Sequence, residues 1–553
     1  MKTTVEERGR FDYIVIGAGT AGCVLTNRLS ATGASVCVLE AGPPDHHPFI
    51  HLPAGYVKTI YNKSITWDFE VPPGKVIDRA MNLPQGRVLG GSSSINGLSY
   101  VRGQRADYDS WAEAGNPGWS YADVLPYFMR SERKVGQGDD RFRGRSGELP
   151  ITEPDWTLPV CETFLESLKE LGIERTPDYN GATHAGSGYF QRTIGGGYRF
   201  SSAKAFLRPA MKRPHVTVRT HAQATRILFE GKRAVGVEYV RGGPNGKREI
   251  VRANREVLLS AGALNSPTLL QLSGVGPREV IEAIGVPMVH ELPGVGQNLR
   301  DHYRIRMVAR LKGVKSINQL VRGLGLWREA ANWVLGRPSA LGVSASLMHV
   351  FFKSNPSVER PDIECVASPA SFRDGIIGVL DDYPGLTLGI WQGRPESLGH
   401  VKAVDPSPFV RPLVQPNYLV DERDQRVLID GMRMGRRMFT TTGMKGAFEM
   451  ETVPGPDCQT DDEFLDFARR TGATVYHLVG SCRMGPADQP NTVVNHELRV
   501  HGLEGLRVID ASIMPTMPSV NTNASALMIG EKGADLVLGR SLPPAENLPP
   551  PLR

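Results

Sequence analysis

A glycine-rich stretch near the N terminus limits what this chain can fold into more than any other feature. Residues 11–42 read FDYIVIGAGTAGCVLTNRLSATGASVCVLEAG. Two short apolar runs, each typical of a buried β-strand, flank a segment with helical spacing, and the second run ends at Glu40. The glycines of a G-x-G-x-x-G pattern are Gly17, Gly19 and Gly22. Strand, glycine turn, helix, strand and acid in this order predict a βαβ unit that binds a dinucleotide.

Each glycine of the pattern has a separate physical role. Gly17 allows the tight turn, Gly19 lets the backbone approach a pyrophosphate, and Gly22 lets the helix pack closely on the strand. The helix N terminus attracts the phosphate charge, and Glu40 lies where a carboxylate accepts ribose hydroxyls. The chain has no second copy of the pattern, so the sequence predicts one dinucleotide.

Length and composition exclude several other classes of protein. With 553 residues the chain is too long for one ordinary core, which predicts two domains or one large composite. The net charge of +6 is small and its basic residues are scattered, so nucleic acid is not an expected partner. Six cysteines without a C-x-x-C pair give neither a disulfide framework nor a zinc ribbon. The polar start MKTTVEERGR is not a secretory signal, so we expect a cytoplasmic protein, with peripheral membrane contact left open.

Three further segments are informative only in combination. Residues 86–97, GRVLGGSSSING, suit phosphate or flavin contact but are equally typical of a Ser/Gly surface loop. Residues 262–276, GALNSPTLLQLSGVG, read as a packed helix between loops. Residues 476–485, YHLVGSCRMG, contain His477, which taken alone is more often structural than catalytic.

Together these segments resemble the glucose–methanol–choline (GMC) oxidoreductase family, and the likeness is greatest to its choline dehydrogenase and alcohol dehydrogenase branch. It runs from Phe11 to Leu538 in the family's order and spacing. The resemblance implies an α/β (α+β composite) fold with a Rossmann-like FAD-binding domain and a second, antiparallel-sheet domain for substrate. The expected FAD domain is discontinuous (1–155, 215–305 and 470–540), the substrate domain comprises 156–214 and 306–469, and 541–553 is a Pro-rich tail that we expect to be extended and mobile.

The same resemblance assigns the residues that hold FAD. Members with covalently attached FAD carry a histidine just before the asparagine of the first signature; here that position is Ile95, so non-covalent FAD is expected. The expected cofactor-binding residues are Gly17, Gly19, Thr20, Ala21, Gly22, Glu40, Ala41, Trp67, Arg87, Gly90, Gly91, Ser92, Asn96, Gly97, Ala222, Ala224, Asp510, Ala511 and Thr522.

Alcohol oxidation needs a base for the hydroxyl proton while hydride leaves the carbon for flavin N5. Histidine changes protonation near neutral pH, and the family's motif histidine falls on His477. The second active-site position falls on Asn521, whose amide can donate a hydrogen bond to a developing alkoxide. A helix is expected to begin just after Asn521, with its positive end toward the flavin.

Three alternatives differ in class from an alcohol oxidoreductase. A lyase on the same fold would use FAD only structurally, and a flavoprotein carrier would have no catalysis at His477. A serine hydrolase lacks its nucleophile elbow, because no G-x-S-x-G occurs. The expected partners are a small alcohol and either O2 or a quinone-type acceptor; the oligomeric state is left open.

Some residues have weaker assignments. Trp391, Gln392 and Arg394 are candidate pocket residues, with packing or surface roles as alternatives. Residues 306–345 are expected to contain a helix and then a loop beside the substrate entrance. Cys482 is read as a packed thiol. The histidines of DHHPFIHLP lack ligand partners at metal spacing, so no metal site is predicted.

Overall fold

The computed structural model describes residues 6–373 and 378–549, and two seven-stranded sheets dominate it. The first sheet contains β1 (Glu6–Ile16), β2 (Val36–Leu39), β10 (Val216–Arg219), β11 (Ala222–Glu230), β12 (Arg233–Arg241), β13 (Lys247–Leu259) and β24 (Leu506–Val508). The second contains β7 (Gly186–Tyr189), β16 (Tyr303–Leu311), β17 (Met348–Phe352), β18 (Ile363–Ser368), β19 (Gly385–Gln392), β22 (Phe448–Val453) and β23 (Ala473–Thr474).

Shorter strands and the helices connect and cover these sheets. The short strands are β3 (Thr66–Val71), β4 (Met81–Gly86), β5 (Glu132–Lys134), β6 (Leu149–Ile151), β8 (Ile194–Gly195), β9 (Tyr198–Arg199), β14 (Val275–Gly276), β15 (His290–Glu291), β20 (His400–Lys402) and β21 (Leu413–Gln415). The helices are α1 (Thr20–Ser30), α2 (Pro48–His51), α3 (Tyr56–Thr59), α4 (Arg105–Glu113), α5 (Tyr121–Ser131), α6 (Pro159–Ser167), α7 (Arg208–Ala210), α8 (Gly262–Leu272), α9 (Arg278–Ala283), α10 (Ile317–Leu320), α11 (Leu324–Val334), α12 (Glu422–Phe439), α13 (Asp461–Thr471) and α14 (Asn523–Val537).

The first sheet is the nucleotide-type half of the molecule. β10, β2, β1, β13 and β24 are parallel neighbours, and β12 and β11 extend the sheet in antiparallel pairing through the early part of β13. The predicted strand–helix–strand unit is confirmed as β1, α1 and β2. β1 extends to Glu6 because its polar first half pairs with β13. A short turn at Gly231 joins β11 to β12, and residues 242–246 join β12 to β13.

The C-terminal helix α14 lies directly against α1. A Cβ atom on Gly530 would be 3.0 Å from the Cα of Ala21, so the two helices approach at a position without a side chain. The Thr20 hydroxyl donates to Oδ1 of Asn523 at 2.9 Å. The N termini of α1 and α14 therefore meet, although almost the whole chain separates them.

The second sheet is antiparallel, as the sequence predicted for the second half of the fold. Its outer face is covered by α12, which approaches closely enough that Cβ atoms on Gly431 and Gly435 would meet Ile390 at 2.8 and 2.7 Å. Apolar residues of β16, among them Ile305, occupy that covered face. Because side chains alternate along a strand, the even-numbered residues of β16 face the opposite side.

The two sheets have separate apolar cores, which gives the predicted division into two domains a physical basis. The domain boundaries themselves remain a prediction. No helix among residues 6–373 and 378–549 is long and apolar enough to cross a membrane.

The Pro-rich tail, predicted to be extended and mobile, lies against the first core over its described part. Residues 541–549 contain no helix or strand, yet Leu542, Ala545 and Leu548 pack against the first core. The backbone N–H of Leu542 donates to the Tyr127 hydroxyl at 2.9 Å, and that of Ala545 donates to a carbonyl of α5 at 2.8 Å. Three apolar side chains spaced along the tail therefore hold it on the surface; residues 550–553 lie outside the described part.

Candidate active site

One cavity of about 380 Å³ connects the glycine turn after β1 with the YHLVGSCRMG segment. Its wall includes the glycine turn and Glu40 at one end and His477 and Asn521 at the other. Residues of both sheets line it, including Leu39 from the first and Arg304 from the second. The cavity is thus formed by segments spread over more than 500 positions of sequence.

Most of the residues predicted to hold FAD surround this cavity. Those that line it are Gly17, Gly19, Thr20, Ala21, Glu40, Ala41, Trp67, Gly91, Ser92, Asn96, Gly97, Ala222, Ala224, Asp510, Ala511 and Thr522. The other three, Gly22, Arg87 and Gly90, do not line it. A Cβ on Gly22 would be 2.0 Å from the carbonyl oxygen of Gly17, which places its role in packing.

The glycine turn fits a dinucleotide. A Cβ on Gly17 would be 2.5 Å from the Ser260 carbonyl oxygen, so the protein itself demands glycine there. A Cβ on Gly19 would meet only that same oxygen, at 4.0 Å, and the backbone at Gly19 has φ −75°, which any residue adopts. Protein packing does not explain Gly19. Space left open at this position on the cavity wall is what close approach of a pyrophosphate requires.

Glu40 is bound more tightly by the protein than the sequence suggested. Its two carboxylate oxygens accept backbone N–H bonds from Ala18 at 2.9 Å and from Gly42 at 2.8 Å. Burial raises the pKa of Glu40 to about 7, and those two N–H donors limit the rise. Each oxygen keeps a second lone pair, so the carboxyl group can fix the turn and still accept a ribose hydroxyl.

The first signature forms a loop that crosses the glycine turn. A Cβ on Gly91 would be 2.7 Å from the Cα of Gly19, so these two backbones are nearly in contact. Of the three serines, only Ser92 reaches the cavity. The hydroxyls of Ser93 and Ser94 donate to carbonyls of Gly90 and Leu89 inside the loop, and they stabilise its shape.

Asp510 organises the start of α8 at the cavity. Its Oδ2 accepts from the Gly262 N–H at 2.9 Å and from the Ser266 hydroxyl at 2.6 Å, and its Oδ1 accepts from the N–H of Ser512 at 2.8 Å. The second signature therefore places a helix N terminus in the cavity wall. The predicted helix after Asn521 is α14; its N-cap, Thr522, makes no capping hydrogen bond through its side chain.

His477 is held through its backbone by Asp301. The N–H of His477 donates to Asp301 Oδ1 at 2.8 Å, while the hydroxyls of Tyr418 and Thr474 donate to Oδ2. Burial raises the pKa of Asp301 to about 6, against the lowering effect of these donors. The preceding residue, Tyr476, has φ +67°, a conformation that side chains rarely adopt. His477 follows this bend and lines the cavity.

His302 determines which nitrogen of His477 carries the proton. It is fully buried, which lowers its pKa to about 4 and keeps it neutral with a single N–H. Its Nε2 lies 2.8 Å from the carbonyl oxygen of Gly393, which can only accept, so the proton is on Nε2. Its Nδ1 must then accept from Nδ1–H of His477 at 2.9 Å. Nε2 of His477 is left with a lone pair.

That lone pair meets Asn521. The amide Nδ2 of Asn521 lies 3.0 Å from Nε2 of His477 and donates to it, whereas its Oδ1 is buried and has no partner among the described residues. Removal of the His477 ring from water lowers its pKa well below the ordinary value, and the neighbouring His302 and Arg304 lower it further. His477 is therefore a neutral ring with an available lone pair at neutral pH, which is the state a general base requires.

Sequence reasoning missed Asp301, His302 and Arg304. The only signal was the dipeptide Asp301–His302 at the start of an alternating strand, and no local pattern connects it with His477. Of the candidate pocket residues, Trp391 lines the cavity, with its ring 6.2 Å from that of His477. Gln392 and Arg394 do not line it; the Arg394 guanidinium donates to the carbonyl of Pro361.

Cys482 is fully buried in the first core, and burial raises its thiol pKa, which confirms its reading as a packed thiol. No cluster of three or more metal-ligating side chains occurs in the described ranges 6–373 and 378–549.

The fold and the site together indicate a dinucleotide-dependent oxidoreductase. The evidence is a parallel sheet of the nucleotide-binding type, a second, antiparallel sheet, and a neutral histidine in the cavity between them. Comparison with known proteins agrees. Residues 11–304 match the N-terminal region of the GMC oxidoreductase family, and residues 395–530 match its C-terminal region. The chain belongs to the GMC oxidoreductase family.

Named relatives cover nearly the whole chain. The alcohol dehydrogenase [acceptor] of Pseudomonas putida is 38% identical over 96% of both chains. The oxygen-dependent choline dehydrogenase of Photobacterium profundum is 37% identical over 98% of this chain and 95% of that one. Among solved structures, pyridoxine 4-oxidase from Mesorbium loti has a TM-score of 0.85 and 28% identity, covering 95% of this chain and 98% of that one. The formate oxidase of Aspergillus oryzae has a TM-score of 0.89 at 24% identity, covering 97% and 99%, which shows a shared fold.

These findings fix the class of reaction. The chain is an FAD-dependent enzyme that oxidises an alcohol. Each relative named above is a dehydrogenase or an oxidase, so the lyase alternative has no support among them.

Proposed function

We propose that His477 removes the hydroxyl proton of the alcohol and that Asn521 holds the oxygen that loses it. The observation that carries the proposal is the hydrogen-bond chain from the Gly393 carbonyl through His302 to His477, which leaves the lone pair on Nε2. The Asn521 amide has two N–H groups, so it can donate to the same substrate oxygen that Nε2 deprotonates. Charge that develops on that oxygen then has a fixed donor.

FAD, when bound, supplies the acceptor for the hydride that leaves the alcohol carbon. The residues that would hold it are those of the glycine turn, the first-signature loop and the N termini of α8 and α14, all of which line the cavity. We propose that FAD is bound non-covalently, because Ile95, which lines the cavity at the attachment position implied by the family, has no nucleophilic atom. Acid precipitation should release all flavin into the supernatant; flavin that stays with the precipitated chain would contradict this.

Anaerobic reduction of the bound flavin tests the proposed roles. Purified holoenzyme should lose its oxidised flavin absorbance when an alcohol is added. His477→Ala should retain FAD but reduce the flavin about 10²- to 10⁴-fold more slowly, the usual contribution of a general base. His496→Ala is the matched control, because His496 is an exposed histidine away from the cavity. Equal rates in wild type and His477→Ala would exclude His477 as the base.

The electron acceptor is proposed to be O2 or a quinone. Re-oxidation of the alcohol-reduced enzyme by air or by a water-soluble quinone under nitrogen separates the two. The relatives named as oxygen-dependent and acceptor-dependent enzymes support both candidates.

We also propose peripheral contact with an anionic lipid surface through α11. Leu324, Trp327 and Val334 lie along one side of this helix and are 88%, 75% and 75% exposed. The exposed Arg322, Arg328 and Arg337 flank that apolar stripe, an arrangement that suits acidic headgroups. The protein should sediment with phosphatidylglycerol vesicles more than with phosphatidylcholine vesicles, and Trp327→Ser with Val334→Ser should abolish the difference. No vesicle binding by the wild type would contradict the proposal.

A further inference from the structure

Arg304 places a positive charge in the wall of the cavity. It lies on β16, directly opposite Trp391 of β19, and both residues line the cavity together with His477. The charge of Arg304 lowers the pKa of His477 and limits the rise in the pKa values of Tyr56 and Tyr476, two other residues of the wall. Arg304 and the proposed base, His477, therefore share one cavity.

The strand holds Arg304 in this position. Neighbouring residues of β16, such as Ile305, are buried under α12, so alternation turns Arg304 to the other face of the sheet. The aliphatic part of the Arg304 side chain lies over Gly389, where an added Cβ would be 3.0 Å from the Arg304 Cδ. Arg306 lies two residues along on the same face, with its guanidinium 5.8 Å from the centre of the Phe372 ring. Arg304 and Arg306 thus place two guanidinium groups on this face of the sheet.

The Arg304 guanidinium has no hydrogen bond or ion pair with any residue in the described ranges. Trp391 of β19 pairs with Arg304 of β16 on one side and with Glu364 of β18 on the other. Glu364 therefore carries the carboxyl group that lies in register with Arg304 across the sheet. Two strand spacings, about 10 Å, separate Glu364 from Arg304. Glu364 is fully buried with no hydrogen-bond partner among the described residues, and burial raises its pKa well above the ordinary value. A neutral Glu364 does not balance the charge on Arg304.

We propose that Arg304 binds a carboxylate or other anionic group on the alcohol substrate, so that the enzyme prefers hydroxy acids and disfavours alcohols with a fixed positive charge. This inference rests on the proposed function, since it concerns the substrate of the same site. A guanidinium without a partner among the described residues offers paired N–H donors that match a carboxylate, and such charge-assisted bonds are stronger than neutral ones. A cationic alcohol at the same place would be repelled by the charge of Arg304.

The test compares three alcohols of similar size with different charge: 4-hydroxybutyrate, 1-butanol and choline. In the concentration dependence of anaerobic flavin reduction, the wild-type holoenzyme should show the lowest apparent Kd for 4-hydroxybutyrate. Arg304→Gln should raise that Kd about tenfold or more and change the Kd for 1-butanol less than about threefold. Arg304→Lys should keep part of the preference, and Arg304→Glu should improve choline relative to 4-hydroxybutyrate.

Arg310→Gln is the matched control. Arg310 lies on the same strand and pairs with Glu449 at 3.1 Å, with both side chains well exposed. This variant should behave as wild type toward all three alcohols, and the flavin content of each variant checks its folding.

A measurement without turnover separates this inference from the proposed function. Butyrate should bind the wild-type holoenzyme in calorimetry, and Arg304→Gln should weaken that binding about tenfold or more. If butyrate binds as expected but no alcohol reduces the flavin, the proposed function fails and the anion site stands. If 1-butanol reduces the flavin but charge makes no difference, or if Arg304→Gln slows all three alcohols equally, the inference is wrong and the charge of Arg304 serves something other than the substrate.

Discussion

At the scale of single residues, the protonation of His477 follows from its hydrogen-bond chain through His302 to Gly393. The Gly393 carbonyl can only accept, the buried His302 can carry only one proton, and His477 must therefore donate through Nδ1. Two consecutive residues position His477. Asp301 accepts a hydrogen bond from its backbone N–H, and His302 accepts one from its ring. The lone pair on Nε2 of His477 is thus fixed by the protein itself.

The pH dependence of flavin reduction should reflect this environment. Burial, with the neighbouring His302 and Arg304, lowers the pKa of His477 well below 6.5. A base works only when neutral, so the rate should be constant from neutral to mildly alkaline pH and should fall only on the acid side, with an apparent pKa below 6.5. Stopped-flow reduction over a pH series measures it. Arg304→Gln should move the acid limb upward, since it removes one positive neighbour; an acid limb at or above 6.5 in the wild type would contradict the argument.

His302 is a positioning residue, and its replacement should slow the reaction without removing FAD. In His302→Phe, Nδ1 of His477 loses its acceptor and the ring is free to place its proton on Nε2. Flavin reduction should slow about 10- to 100-fold, as expected when a group that orients a reacting side chain is lost. His302→Gln, which can accept from His477 and donate to Gly393, should recover much of the rate. Equal loss in both variants at unchanged flavin content would show that the hydrogen-bond chain does not matter.

At the scale of elements, the glycine turn combines two demands that sequence alone does not separate. Gly17 and Gly22 are required by contacts within the protein, whereas Gly19 leaves room in the protein for a Cβ. Of the three glycines in the G-x-G-x-x-G pattern, only Gly19 is not required by contacts within the protein, so its role is expected to lie in ligand binding. The same turn therefore contains glycines that the fold requires and one glycine for which we expect ligand binding to be the reason.

Alanine substitutions should separate these demands. Gly22→Ala, with its Cβ 2.0 Å from the Gly17 carbonyl oxygen, should lower the Tm of the apoprotein and lose FAD. Gly19→Ala should leave the apoprotein Tm nearly unchanged but weaken FAD binding, because the only obstacle to its methyl group is the cofactor. Gly446→Ala, where an added Cβ has nothing within 4 Å, is the control for both. Full FAD affinity in Gly19→Ala would show that the turn does not contact the cofactor closely.

Elements with local signals could be predicted from the sequence, and elements that depend on distant partners could not. β1, α1 and β2 follow from apolar periodicity and glycine spacing, but the polar first half of β1 is a strand only because β13 pairs with it. His302 and His477 are 175 positions apart, and β16 reads as an ordinary alternating strand, so nothing local identifies its start as part of the site. The tail was predicted to be mobile because its prolines dominate the pattern, while its few apolar side chains determine the packing.

At the scale of the whole molecule, the cavity joins segments that no single domain contains. Residues of the first sheet, the second sheet and the C-terminal helix line it together. The helix N termini of α1, α8 and α14 converge from positions near both ends and the middle of the chain. Because residues of both sheets line the cavity, we expect a ligand that fills it to stabilise both sheets and not one alone.

FAD should therefore determine the thermal stability of the whole chain. A ligand that binds only the folded state adds about 2.7 kcal/mol of stability at a free concentration 100 times its Kd. Because the cavity is lined from both sheets, we expect the Tm to rise with FAD concentration and the holoenzyme to unfold in one cooperative transition. Calorimetry of apoprotein titrated with FAD measures both, and Gly19→Ala should need more FAD for the same shift. Two transitions, of which only one moves with FAD, would show instead that the cofactor stabilises the first sheet alone and that the second sheet folds independently of it.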